Sequence, residues 1–233
     1  MTVADSMRTR LSCASLGCAV LLTGCGSMVS GHPVSPPPIA ETRHVRAELS
    51  TLLPDPAQFP GRYPAVVLPP EAVAQAAGDL DGMGRGASVQ PSSCVPPTRQ
   101  FGPDQAAMAV GTDNNTRATI TVELTRTAEP MAALHLRLAK CGSVRVSRAG
   151  ATSTVTTELD PPPQIDAGDT LALRRTVVPE VVGTGLTQSM RTLVGQIGDV
   201  RISVTYMSFS GAEPDTAAVH ESFTTAVRKV RAG

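Results

Sequence analysis

Hydrophobic positions change their period along the chain, and those changes divide it into parts. Residues 11–22 form a nearly unbroken apolar run of 12 residues behind Arg8 and Arg10. Residues 26–42 then read GSMVSGHPVSPPPIAET, whose Ser, Gly and Pro content cannot build a core and fits an extended tether. Periodic patterning begins near Arg43. Residues 44–53 predict a short amphipathic helix stopped before Pro54, and residues 54–63 a loop that Phe59 and Tyr63 anchor in the core. Pro69-Pro70-Glu71 opens a second helix, since proline suits the first turn and Glu71 complements the dipole. Val73, Ala76, Ala77 and Leu80 recur on it at helical spacing, and the glycine cluster of residues 82–86 ends it.

From residue 87 the pattern has period two. Candidate strands are residues 87–90, 105–111 and 117–127, the last with Ile120, Val122 and Leu124 on one side and Thr119, Thr121 and Glu123 on the other. Asp113-Asn114-Asn115-Thr116 is a hairpin turn, because Asx residues tolerate left-handed backbone. Pro130 opens a helix with Met131, Leu134 and Leu138 on one face. Residues 143–148 and 153–159 pair around Ala149-Gly150, and residues 170–178 follow the break at Pro161 to Pro163. The last hairpin pairs 187–194 with 200–206 across 195–199, with Val200, Ile202, Val204 and Tyr206 inward and Arg201, Ser203 and Thr205 outward. Pro214 starts a final helix with a core stripe of Val219, Phe223, Val227 and Val230, and Arg228, Lys229 and Arg231 complement its C-terminal dipole. The order predicts an α+β fold: a single antiparallel sheet with helices packed mainly on one face.

The N-terminal run is too short to span a bilayer, which takes roughly 20 apolar residues, and fits a signal peptide. It ends in Leu22-Thr23-Gly24-Cys25, which resembles the bacterial lipobox, where the Cys thiol is diacylated and the bond before it is cut. The expected organisation is a lipoprotein signal peptide at 1–24, lipidated Cys25 and a tether at 25–42, and one extracytoplasmic domain at 43–233. Either Met1 or Met7 is the start. The protein is thus expected at the cell membrane, lipid-anchored on the extracytoplasmic face.

Composition narrows the function classes. The chain has 20 basic and 20 acidic residues, and losing Arg8, Arg10 and Asp5 with the signal leaves 18 against 19. Nothing in that balance favours nucleic acid, whose binding needs clustered Lys and Arg. Trp is absent and aromatics are 3%, so stacking platforms are not expected. Cys94 and Cys141 remain after Cys13 and Cys18 leave and Cys25 takes the lipid; an even pair in an exported domain predicts a disulfide. A Cys pair alone has too few ligands for a metal site.

Catalytic motifs are missing: G-x-S-x-G, H-E-x-x-H and Ser-x-x-Lys do not occur in the sequence. His135 and His220 sit on predicted helix surfaces, and Asp79 and Asp81 lack the other ligands of a calcium loop. The glycines at 82–86 have no strand before them, so they do not read as a nucleotide loop. No catalytic, metal or cofactor residue is expected. The reading is a non-catalytic ligand-binding or sensor-like module of the envelope, its ligand a cell-wall fragment, lipid or envelope protein. The alternatives are a lipid carrier, with Met83, Met108, Met131, Met190 and Met207 lining an apolar cavity, and an envelope hydrolase.

The lipobox, the Pro-rich tether, the Cys141-Gly-Ser-Val-Arg-Val-Ser run after a helix and Thr170-Leu-Ala-Leu-Arg-Arg-Thr together resemble mycobacterial cell-envelope lipoproteins of unassigned function. Residues 45–230 are more distantly similar in layout to the extracellular sensor domain of the mycobacterial Ser/Thr kinase PknH. That resemblance implies an α+β module with a ligand-binding cleft. The kinase domain is held by two disulfides, whereas this chain has cysteines for one, and no ligand-contacting residue is carried over.

Overall fold

Among the described residues the alternating segments and one further short segment, 65–67, form nine strands: β1 Ala65–Val67, β2 Ser88–Gln90, β3 Ala106–Thr112, β4 Thr119–Arg126, β5 Ser143–Arg148, β6 Ala151–Asp160, β7 Asp169–Pro179, β8 Gln188–Ile197 and β9 Val200–Ser208. Among the described residues four α-helices accompany them: α1 Leu49–Leu52, α2 Pro70–Leu80, α3 Met131–Lys140 and α4 Thr216–Ala232. The computed structural model describes residues 43–165, 169–181, 185–209 and 213–233, all within one compact unit, Glu41–Gly233. The signal peptide, Cys25 and the tether lie outside the described residues.

The strands form one sheet ordered β1-β3-β4-β9-β8-β7-β6-β5-β2, with every neighbouring pair antiparallel. Both outermost strands are only three residues long, which limits the unpaired backbone left at the edges. β1 was not legible in the sequence: Val66 and Val67 are exposed, so no alternation marks it.

The α+β class and the single antiparallel sheet stand, but the helices divide between the two faces instead of gathering mainly on one. On the first face α4 and α1 cover Ala107, Ala109, Ile120, Val122, Leu124, Leu193, Ile202, Val204 and Tyr206. The α4 stripe of Val219, Phe223, Val227 and Val230 is buried there, and Asp215 caps the helix by accepting from Ala218 N. On the second face α2 packs through Val73, Ala77 and Leu80 on Ala106 and Met108, and α3 packs through Met131, Leu134 and Leu138 on Leu171, Leu173 and Val194. Connectivity explains the division. The links β1→β2, β2→β3 and β4→β5 each join strands far apart in the sheet, and the elements they carry all pack on this second face.

Two boundaries differ from expectation. The helix expected over 44–53 shrinks to Leu49–Leu52 because Asp199 captures the preceding segment, accepting from Val45 N at 2.8 Å and contacting His44 Nδ1 at 2.6 Å. The last hairpin turns in two residues, Gly198-Asp199, since Ile197 pairs directly with Val200. Gly198 has φ +55°, and an added Cβ would collide with the Arg43 carbonyl. Glycine is required there on both counts.

Candidate functional site

The three crossings leave a cleft of about 490 Å³ on the second face. Its floor is the middle of the sheet, with Glu123 on β4, Arg201, Ser203 and Thr205 on β9, Thr192 and Val194 on β8, and Leu173 and Arg175 on β7. One wall is the end of α2 with Leu80, Asp81 and Met83; a second is the segment 94–100; the third is α3 with Leu134, Arg137, Leu138 and Cys141.

Cross-strand register fixes the polarity of this floor. Glu123 lies opposite Ser203, Ser203 opposite Val194, and Thr121 and Thr192 flank Thr205. The Thr192 and Thr205 hydroxyls lie 2.9 Å apart. The expectation that Arg201, Ser203 and Thr205 point outward is corrected here: Arg201 and Thr205 are buried, and all three line the cleft. Alternation separates two faces of a strand, and the chain then roofed the polar one.

Ion pairs hold most of the charged lining. Arg99 Nη2 donates to Asp81 Oδ2 at 2.6 Å and its Nη1 to Glu123 Oε1 at 3.3 Å, while its guanidinium lies 5.6 Å from the Phe101 ring centroid. Arg201 Nη1 donates to Glu129 Oε2 at 2.7 Å, and Arg137 forks onto the same carboxylate. Arg126 reaches out of the cleft to Asp199 at 3.0 Å. Arg175 differs: its Nε donates to Thr157 Oγ1 at 3.1 Å and its Nη1 to the Leu80 carbonyl at 3.0 Å. Among the described residues no carboxylate lies within ion-pair distance of it.

Burial sets the electrostatics. It pushes the Glu123 carboxyl up, against the opposing pull of Arg99. Burial likewise holds the Arg175 and Arg201 guanidiniums below their ordinary value. Burial opposes the Arg99 charge too, but Glu123 and Asp81 outweigh it and the net direction is upward.

Cys94 and Cys141 are joined in a disulfide, with Cα atoms 5.7 Å apart. Both line the cleft, so the bond clamps the 94–100 wall to the end of α3. The cysteines were legible by counting; the cleft that they close was not, because the 91–105 segment is irregular and carries no period. Asp81, set aside as a calcium ligand, is an ion-pair partner of Arg99. His135 and His220 are exposed on α3 and α4. The methionines do not share one cavity: Met108 lies under α2, Met131 under α3, and of the five only Met83 lines this cleft. Among the described residues no group of three His, Cys, Asp or Glu side chains is placed to hold a metal, and no helix is long and apolar enough to cross a membrane.

The family described as Domain of unknown function (DUF5642) matches residues 56–230. Among solved structures the chain is similar to an uncharacterised protein of Mycobacterium smegmatis, the Rv0999 ortholog, at 17% identity over 75% of this chain and 92% of that one, with a TM-score of 0.42. It is also similar to the extracellular domain of PknH from Mycobacterium tuberculosis, at 10% identity over 72% of this chain and 99% of that one, with a TM-score of 0.42. A comparison with curated proteins finds no match.

Proposed function

The chain belongs to the family Domain of unknown function (DUF5642), and we propose that it is a lipid-anchored, extracytoplasmic, non-catalytic module that binds an envelope ligand in the cleft over β4, β9, β8 and β7. The observation that carries this reading is the buried polar floor. Glu123, Arg175, Thr192, Arg201 and Thr205 occupy the centre of a sheet where apolar side chains would pack at lower cost. Positions that break the rules of core composition are where function is expected.

The lipobox ending at Cys25 and the disulfide pair support an exported, membrane-tethered location. Lipidation at Cys25 with a Pro-rich tether would hold the cleft near the envelope and raise its effective concentration for a ligand there. A charged floor is a poor lining for acyl chains, since burying charge against hydrocarbon is costly, and the methionines lie in separate clusters. Both points favour a polar ligand, such as a cell-wall fragment, over a carrier's lipid cargo. Among the described residues no hydroxyl of the floor is hydrogen-bonded to a histidine or a carboxylate, and the nearest carboxylates are engaged with arginines.

The test is native mass spectrometry of the full chain purified in mild detergent from a bacterial envelope. A retained small-molecule adduct is expected, lost when Ser203→Trp fills the cleft. No adduct, or one that survives Ser203→Trp, sinks this assignment. Substrate turnover abolished by a cleft substitution would restore the hydrolase.

A further inference from the structure

Among the described residues, one cation of the cleft, Arg175, has no carboxylate within ion-pair distance. Arg175 is 8% exposed, yet its side chain donates to a hydroxyl and a backbone carbonyl. The carbonyl belongs to Leu80, the last residue of α2, so part of the arginine's role is to complete that helix end. A helix C-terminus carries only about half an elementary charge, which leaves the guanidinium partly uncompensated. A buried charge without a counter-charge is strongly destabilising, and Arg remains protonated under all ordinary conditions.

The imbalance extends around it. The cleft is lined by five arginines against the carboxylates of Asp81, Glu123 and Glu129, and only Arg126 finds its carboxylate outside the lining. Arg201 lies on the same floor, nine-tenths buried, with Nε unpartnered. Hydroxyls stand nearby in register: Thr157 faces Arg175 across β6 and β7, and Thr192 lies one pleat along β8 from Met190, the residue opposite Arg175. A guanidinium with threonine hydroxyls is a donor set matched to an oxyanion.

We propose that the Arg175 end of the cleft binds the anionic oxygens of its ligand, a carboxylate or a phosphate group. This rests on the ligand-binding reading above and specifies the ligand's chemical class. Glu123 does not defeat it: its carboxyl is engaged by Arg99 Nη1 at 3.3 Å, and that guanidinium offsets its repulsion of an anion.

Scanning calorimetry of the full chain in mild detergent tests the assignment. Sodium phosphate and sodium succinate, each compared with sodium chloride at equal ionic strength, separate a phosphoryl from a carboxylate preference. An anion at ten times its dissociation constant should raise Tm by roughly 3–6 °C. Arg175→Met should abolish the rise, Arg175→Lys should retain a weaker one, and Arg174→Gln, on the opposite face, should leave it intact. If Arg175→Met fails to fold, the Arg175→Lys titration decides: loss of affinity supports the site, and unchanged affinity overturns it. No rise in wild type, or an equal rise in Arg175→Met, also overturns it. Should that happen while the envelope adduct persists and remains sensitive to Ser203→Trp, only the anionic class falls; if the adduct is absent too, the cleft reading falls with it.

Discussion

Glu123 sits within β4 and Asp199 in the β8–β9 turn, and their surroundings drive the two carboxyls in opposite directions. At Asp199 burial is outweighed by hydrogen bonds from Val45 N and His44 and by Arg126, and the carboxyl titrates below its ordinary value. That group stabilises the fold above about pH 4 and ceases to do so as pH falls through its folded value. Glu123 receives one arginine at 3.3 Å and loses more to burial, so it titrates above its unfolded value of about 4.3. Between the unfolded and folded values the native state holds the extra proton, and stability is therefore lost as pH rises through that window. Glu123→Gln keeps an acceptor for Arg99 and removes the titration. The variant should match wild type below about pH 4 and be at least as stable at neutral pH, with a flatter Tm profile between. Wild type gaining on the variant as pH rises would mean that the Arg99 pair outweighs burial.

At the scale of elements, the disulfide is the joint between fold and site. It closes a loop across 47 positions, which the chain-entropy model values at about 4 kcal/mol. Cys94→Ser and Cys141→Ser should each lower Tm, and the double variant should fall no further than either single one; additive losses would show that the thiols are not bonded to each other. Because Cys94 begins the wall that carries Arg99, the variants should also bind the envelope ligand more weakly than their stability at the assay temperature accounts for. This joint marks the limit of what was legible beforehand. The strand at 119–126, the hairpin at Ala149-Gly150 and the α4 stripe were readable because period and turn chemistry are local signals. The core roles of Phe59 and Tyr63 were readable too, and both are buried. Arg201 and Thr205 were misread as solvent-facing since alternation says which residues share a face, never what lies over it. Arg175 carried no signal at all: within Leu-Ala-Leu-Arg-Arg-Thr, nothing local distinguishes it from Arg174, which is exposed on the other side of the sheet and paired with Asp160.

For the whole molecule the decisive question is where the cleft is held. On the proposed reading, a domain with a polar cleft and no net charge to concentrate it at an anionic surface would depend on a lipid anchor for access to envelope ligands. The lipobox reading makes that anchor two acyl chains on Cys25, enough for stable attachment where a single chain is marginal. Cys25→Ala should therefore block processing at residue 24 or release the protein from the membrane fraction, read out by fractionation and by the mass of the N-terminal peptide. The same variant, once soluble, should keep its cleft and bind added phosphate or succinate as wild type does, because the four core clusters lie entirely within residues 45–230. Loss of membrane association with binding intact separates the anchor's role from the cleft's. Maturation and membrane fractionation identical to wild type would remove the lipid anchor from the proposal. The cleft would then have to reach its ligand by free diffusion, which demands a tighter intrinsic affinity than a tethered domain needs.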